Sequence, residues 1–354
     1  MTRAHLLALL IPAIVFFPIV AAPVDAPPPA TKNIIVMIAD GWGFNHAKAT
    51  SYYEHGTEQG SVLSQFPYRF AMTTYSAGGH PFGYDPALAW DDFEWVMSEA
   101  TDSAAAATAM ACGVKTYDAA IGVDVNGKPV QNSLELAEGK GKSTGIVTTV
   151  QWTHATPAAH VAHNAHRDNY EEIGHEIIFR SAADVVMGAG HPWYDSDGRL
   201  KDTPNTFKYV GGQTTWDALV AGAAGGDADA DGDADPWTLV QTREEFQALM
   251  SGPTPSRVLG TAQVYTTLNQ ARSGDGQAAP YVVARNETVP TLAEMSLAAL
   301  NVLDDDPDGL YLMIEGGAID TLSKPSARSS AGWKPTAVGP KPCSSSPAIT
   351  KPDT

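Results

Sequence analysis

Four short apolar runs, each ending at a turn, restrict what this chain can fold into more than any other feature. Asn33 to Ala39 stops at Asp40-Gly41, and Asp184 to Met187 stops at Gly188-Ala189-Gly190. Tyr311 to Ile314 stops at Glu315-Gly316-Gly317, and Ser143 to Val150 leads within a few residues to His154 and Thr156. Short apolar runs without alternation fit strands buried on both faces. Helical patterns lie between them. Pro157 to His166 reads as one helix, and Thr291 to Leu303 as another, with Thr291 as N-cap and Glu294 three residues on. Strands alternating with helices predict an α/β fold with a mostly parallel central sheet and helices on both faces. Such sheets bind ligands at the carboxyl ends of their strands. Asp40, His154, Thr156 and Glu315 all fall just past such ends.

The rest of the chain sets limits. A formal charge of −18 argues against a nucleic-acid partner, which demands a basic face. Arg3, the apolar run from Leu6 to about Ala22, and small residues at Ala21, Ala22 and Ala26 predict a signal peptide over 1–26. The alternative is an uncleaved anchor in a membrane; either places the mature protein in a secreted or periplasmic setting. Two cysteines, Cys112 and Cys343, make no disulfide framework, and Cys112 reads as a small core residue. Asp227 to Asp235 begins like a calcium loop but has Thr238 where the closing Glu belongs, so it reads as a solvated loop. Asn286-Glu287-Thr288 is a glycosylation sequon.

The most informative stretch is Thr101 to Asp124, TDSAAAATAMACGVKTYDAAIGVD. Ser103 would stand at the head of a helix of small residues, where backbone amides and the helix dipole favour an anion. Taken alone, a Ser before an Ala-rich helix is more often a simple N-cap. Asp40, Thr156 and Glu315 change the balance, because three oxygen ligands arriving from separate strand ends suit a hard cation such as magnesium.

This stretch resembles the nucleophile region of alkaline phosphatases. The resemblance extends from about Asn33 to Asp320 through IVMIADGWG, HATPAAHVAHNAHR and LMIEGGAID, in the family's order. It implies that Ser103 is the nucleophile taking the phosphoryl group of a phosphate monoester, which then passes to water. Arg167 would hold two phosphate oxygens. Asp40 would bridge a second zinc and the magnesium, with Thr156 and Glu315 completing the magnesium ligands. Ser103 would also ligate the second zinc, and Asp320 the first. His154 would stand beside the magnesium ligands and tune them. His160, His163 and His166 read as helix or surface residues rather than ligands. The substrates would be small-molecule phosphate esters, and a homodimer is the common assembly in the family.

One departure stands beside the match. Where the family has a His four residues after Asp320, this chain has Lys324-Pro325, and no histidine follows. Both zinc sites would be short of ligands. The composition also turns rich in Ser, Pro and Lys from Lys324 onward. The expected organisation is therefore an incomplete catalytic domain over 27–322 and a low-complexity, disordered tail over 323–354, as a frameshift, an early stop or a divergent member that has lost zinc would leave. Three readings follow: an impaired phosphomonoesterase, an inactive protein that binds magnesium or phosphate, and a related phosphate or sulfate enzyme of the same superfamily.

Overall fold

The computed structural model describes residues 31–317, apart from 73, 78–84, 93, 96–99, 229–231, 276–277 and 279–281, together with the strand Ser344–Ile349. The four expected strands are present as β1 (Ile34–Ala39), β2 (Ser143–Gln151), β3 (Val185–Ala189) and β6 (Leu310–Gly316). Two more were not expected, β4 (Thr238–Val240) and β5 (Val258–Thr261). With β7 (Ser344–Ile349) the sheet order is β4-β5-β3-β2-β6-β1-β7, and every pairing is parallel.

Alternation within the strands shows why the sheet is covered twice. In β6, Tyr311 and Met313 join one core cluster, while Leu310, Leu312 and Ile314 join the other. The first cluster takes Ile173, Ile177 and Ile178 from helix α6 (Tyr170–Arg180) and Trp216 and Leu219 from α7 (Gln213–Val220). The second takes Phe246 from α8 (Arg243–Ala248) and Met295, Ala298, Ala299 and Leu303 from α9 (Leu292–Leu303). Each large side chain so buried contributes about 1.5–3 kcal/mol. The reciprocal Thr291–Glu294 cap of α9 is formed as expected.

The expected helix from Pro157 to His166 is shorter and earlier. It is a single turn, α5 (Ala155–Ala158), after which the backbone pairs elsewhere. Asn164 N donates to Ile121 O at 2.8 Å, and Arg167 N donates to Ala119 O at 2.8 Å. The Thr101 to Asp124 stretch thus captures this segment and fixes where Arg167 emerges. Cys112 is partly exposed rather than core, with Sγ 3.6 Å from Val130 O. Asn286 is buried, and its Oδ1 accepts from the Thr288 backbone and hydroxyl, so the folded chain hides the sequon's amide. His160 is fully buried, not a surface residue. The described parts of the Asp227 to Asp235 loop are mostly exposed.

Six residues of the segment expected to be a disordered tail form β7 along β1. The outer edge of β1 offers a row of N–H and C=O groups, and an extended segment can pair with such an edge whatever its composition. The expected signal peptide, Asp320 and Lys324 lie outside the described residues.

Candidate functional site

The carboxyl ends of β1, β2 and β6 meet beside the N-terminus of helix α3 (Ser103–Cys112). Its buried face is Ala104, Ala105, Ala107, Thr108 and Ala111, small enough for close approach to α5. Asp102 is the N-cap: its Oδ1 accepts from Ala105 N at 2.9 Å. Gly113 closes the helix at φ 71°, a left-handed position that favours glycine. Because Asp102 does the capping, the Ser103 hydroxyl is not spent on it. Ser103 Oγ donates instead to Asp40 Oδ2 at 2.9 Å.

Asp102 has a second task that sequence reasoning missed. Its Oδ2 accepts from Arg167 Nη1 at 3.0 Å, so one carboxylate sets both the helix carrying Ser103 and the guanidinium beside it. Arg167 Nη2 lies 3.4 Å from His154 Nε2. Arginine can only donate, so Nε2 accepts and the imidazole proton belongs on Nδ1. That Nδ1 is buried and has no hydrogen-bond partner among the described residues. Burial, then the neighbouring Arg167 charge, hold His154 down at about 4, so its ring is neutral at pH 7.

Glu315, fully buried at the end of β6, is the other centre. Thr148 Oγ1 donates to its Oε2 at 2.5 Å, across the register that pairs Thr148 with Glu315. Its Oε1 is buried without a hydrogen-bond partner among the described residues. Burial first, then the charge of Asp40, push its carboxyl up to about 8, against the hydroxyls of Thr148 and Thr156 and the charge of Arg167. Thr148 also escaped sequence reasoning; the two-residue period of β2 put it on the same face as residues nearer the strand end. His160 Nδ1 lies 2.9 Å from Thr156 O and holds the α5 turn from below.

Asp40, Ser103, Thr156, Glu315, His154 and Arg167 are therefore neighbours, linked directly or through Asp102. Two carboxylates, one of them with an orphaned buried oxygen, and the Thr156 hydroxyl form a hard oxygen set, which fits a magnesium-like cation. They do not make a zinc centre. Among the described residues no group of three or more His, Cys, Asp or Glu is placed to hold a metal. Asp320, the remaining expected zinc ligand, lies outside them.

Comparison with known proteins follows this geometry. The alkaline phosphatase profile matches residues 31–331. Alkaline phosphatase 4 of Bacillus subtilis is 32% identical over 296 residues, covering 82% of this chain and 52% of its own. Among solved structures, the cold-active alkaline phosphatase of Shewanella sp. is similar with a TM-score of 0.56 and 24% identity, over 82% of this chain and 57% of that one. A variant of the TAB5 alkaline phosphatase, from an Antarctic bacterium, solved with magnesium in its M3 site, aligns with a TM-score of 0.53 and 24% identity, over 82% of this chain and 66% of that one. The chain spans about half to three-fifths of the length of the curated relatives it matches. A family profile covering most of the sequence, on a parallel sheet with this cluster at its strand ends, settles the kinship: the chain belongs to the alkaline phosphatase family.

Proposed function

We propose that this site accepts the phosphoryl group of a phosphate monoester onto Ser103 and passes it to water. The observation that carries the reading is the Ser103 Oγ to Asp40 Oδ2 hydrogen bond at the head of α3, with Arg167 held beside it by Asp102. The positive end of the helix dipole favours the phosphate charge. Arg167, already oriented, offers its planar fork to two phosphate oxygens. Ser103 Oγ forms the new bond to phosphorus as the bond from phosphorus to the ester oxygen breaks, and the Ser103 proton passes through Asp40 Oδ2 to that oxygen, which leaves as the alcohol. Water then attacks the phosphoserine, releasing inorganic phosphate and restoring the hydroxyl. Magnesium, when held by Asp40, Thr156 and Glu315, supplies charge that offsets these carboxylates and the phosphoryl oxygens. The substrates are small-molecule phosphate esters, met in a secreted or periplasmic setting, with residues 1–26 as the signal for export. Rapid acid quench after mixing with 4-nitrophenyl phosphate, followed by peptide mass spectrometry, tests the reading. A phosphoryl group on Ser103 is expected; its appearance on another residue sinks the assignment.

The second reading, a protein that binds magnesium or phosphate without turnover, is favoured by the donors the site brings together, the side-chain oxygens of Asp40, Ser103, Thr156 and Glu315. Phosphate-monoester hydrolysis is among the slowest uncatalysed reactions, and charge neutralisation supplies most of its acceleration. The 354-residue chain is therefore expected to hydrolyse 4-nitrophenyl phosphate slowly even with added zinc. Zinc-dependent turnover of about 1 per second or faster would overturn that expectation.

A further inference from the structure

Next to Arg167 the chain builds a wall that the phosphoryl chemistry does not use. Tyr170, the first residue of α6, and Tyr209, in the 3-10 turn Lys208–Val210, meet edge to face with ring centroids 4.8 Å apart. Tyr265 extends the wall 5.3 Å beyond Tyr209. Lys208 Nζ makes no ion pair among the described residues. It lies 4.9 Å from the Tyr170 ring centroid and 4.7 Å from that of Tyr209, so one ammonium bridges both rings. All four side chains are partly exposed.

Three observations fix the wall against the site. Thr153 Oγ1 donates to Tyr209 O at 3.2 Å, and Thr153 immediately precedes His154, the neighbour of Arg167. Gly174 of α6 packs so closely on Gly211 that an added Cβ would lie 2.6 Å from Gly211 N. Gly211, at φ 77°, turns the chain just after Tyr209, so the turn is clamped to the helix that carries Tyr170. Finally, Asp168 is within electrostatic reach of His154, Tyr170 and Tyr209 together, and Arg167 is within reach of Tyr170. Burial raises both phenols, so the rings are neutral at pH 7.

Partly exposed aromatic rings bordering an oriented guanidinium form a surface suited to a flat group attached to a phosphate. We propose that Tyr170 and Tyr209, held by Lys208, form the leaving-group subsite and favour phosphate esters whose organic part is a planar aromatic ring. This rests on the reading of Ser103 and Arg167 as the phosphoryl site. An aliphatic leaving group would gain little there, because offset or edge-to-face ring contacts add to simple area burial.

The test needs no turnover. The full chain, with magnesium chloride present, is titrated calorimetrically with phenylphosphonate and with methylphosphonate, and the ratio of the two affinities is read. The expected ratio is about threefold or more in favour of phenyl, the scale of an aromatic pair. Tyr209→Leu and, separately, Tyr170→Leu should each bring it towards the ratio expected from area alone, while Tyr209→Phe retains it. Two independent leucine variants guard against one failing to fold. Equal affinities in the wild type, or a preference that survives both leucine variants, overturn the subsite and leave the phosphoryl reading standing. Failure of both phosphonates to bind overturns the phosphoryl reading, and the subsite falls with it.

Discussion

The two ends of the same parallel strands carry two buried polar clusters with opposite characters. At the carboxyl end, Glu315 Oε1 and His154 Nδ1 are buried without partners. At the amino end, Arg257 stacks on Trp237 at 3.9 Å and gives its guanidinium hydrogens to the carbonyls of Ala183, Gly226, Asp235 and Ser181. Beside it, Asp184 Oδ2 accepts from Thr144 N at 2.7 Å, and Glu138 faces the Thr144 hydroxyl. Native proteins satisfy nearly all buried polar groups, so the closed cluster is what structure alone produces. At the other end, two of the seven orphaned buried side-chain atoms among the described residues lie beside Arg167 and Asp40, where the proposed ligand would complete their bonding. Charge and burial are shared by both; the state of satisfaction separates them.

The comparison breaks if the open cluster proves structural or the closed one catalytic. Ser103→Ala tests the first with the largest effect. It should abolish phosphoryl transfer to the protein and any serine-dependent turnover, while folding stability stays within about 0.5 kcal/mol, as expected for a partly exposed hydroxyl. Quench labelling and urea denaturation on the same sample read both quantities. A large loss of stability would make the Ser103–Asp40 bond a structural clasp. Arg257→Ala is the mirror test. It leaves four carbonyls and two carboxyls without their cation, so a loss of about 3–5 kcal/mol is expected. Phosphonate affinity at 25 °C, measured on the folded fraction, should not change. A drop there would tie the amino end to the site.

Glu315→Gln sharpens the contrast through the metal. Magnesium chloride at about a hundred times its dissociation constant should stabilise the wild type by about 2.7 kcal/mol. The variant lacks a carboxylate in the oxygen set and should lose most of that gain in a thermal melt. Equal magnesium shifts in both proteins would move the cation elsewhere.

The four strands that position the site were legible because each is a buried apolar run, and three of them end at a glycine or an acid. β4 and β5 were not. They have only three and four residues, and Thr238 and Gly260 interrupt any apolar pattern. The Thr291–Glu294 cap was legible because it is local. The helix from Pro157 was misjudged because long-range pairing with Ile121 and Ala119 outcompetes local propensity after one turn. In the candidate site, Asp40, Ser103, Thr156 and Glu315 were read from motif and strand end, and the fold brings them together. Asp102 and Thr148 were missed because their importance lies in partners, Arg167 and Glu315, that are distant in sequence.

The smallest effect expected is a pH dependence belonging to the closed cluster. Burial, countered by the Thr144 amide and Arg257, pushes Asp184 up to about 6 from 3.8. Burial and the neighbouring Asp184 push Glu138 up to about 7 from 4.5. Both folded-state values lie above the unfolded ones, so the folded chain holds these protons more tightly. That stability is fully present below pH 4 and is lost as pH rises through about 6 and about 7. Glu294 works in the opposite sense. Burial opposes it, but hydrogen bonds from Arg243, Thr291 and Gln247 pull it down to about 2, and its contribution is lost only as pH falls through that value. Between pH 4.5 and 7 these two carboxyls should therefore cost stability as pH rises, while the buried imidazoles of His154, His160 and His191, held down at about 4, act in the opposite sense. Asp184→Asn keeps an oxygen for the Thr144 amide and removes one titrating group, so across that interval its stability should rise by about 1–2 kcal/mol relative to the wild type. Urea midpoints at half-unit pH steps would show it. Parallel curves for the two proteins would mean that Asp184 is already solvated or fully paired with Arg257, and the closed cluster would then have no titratable cost at all.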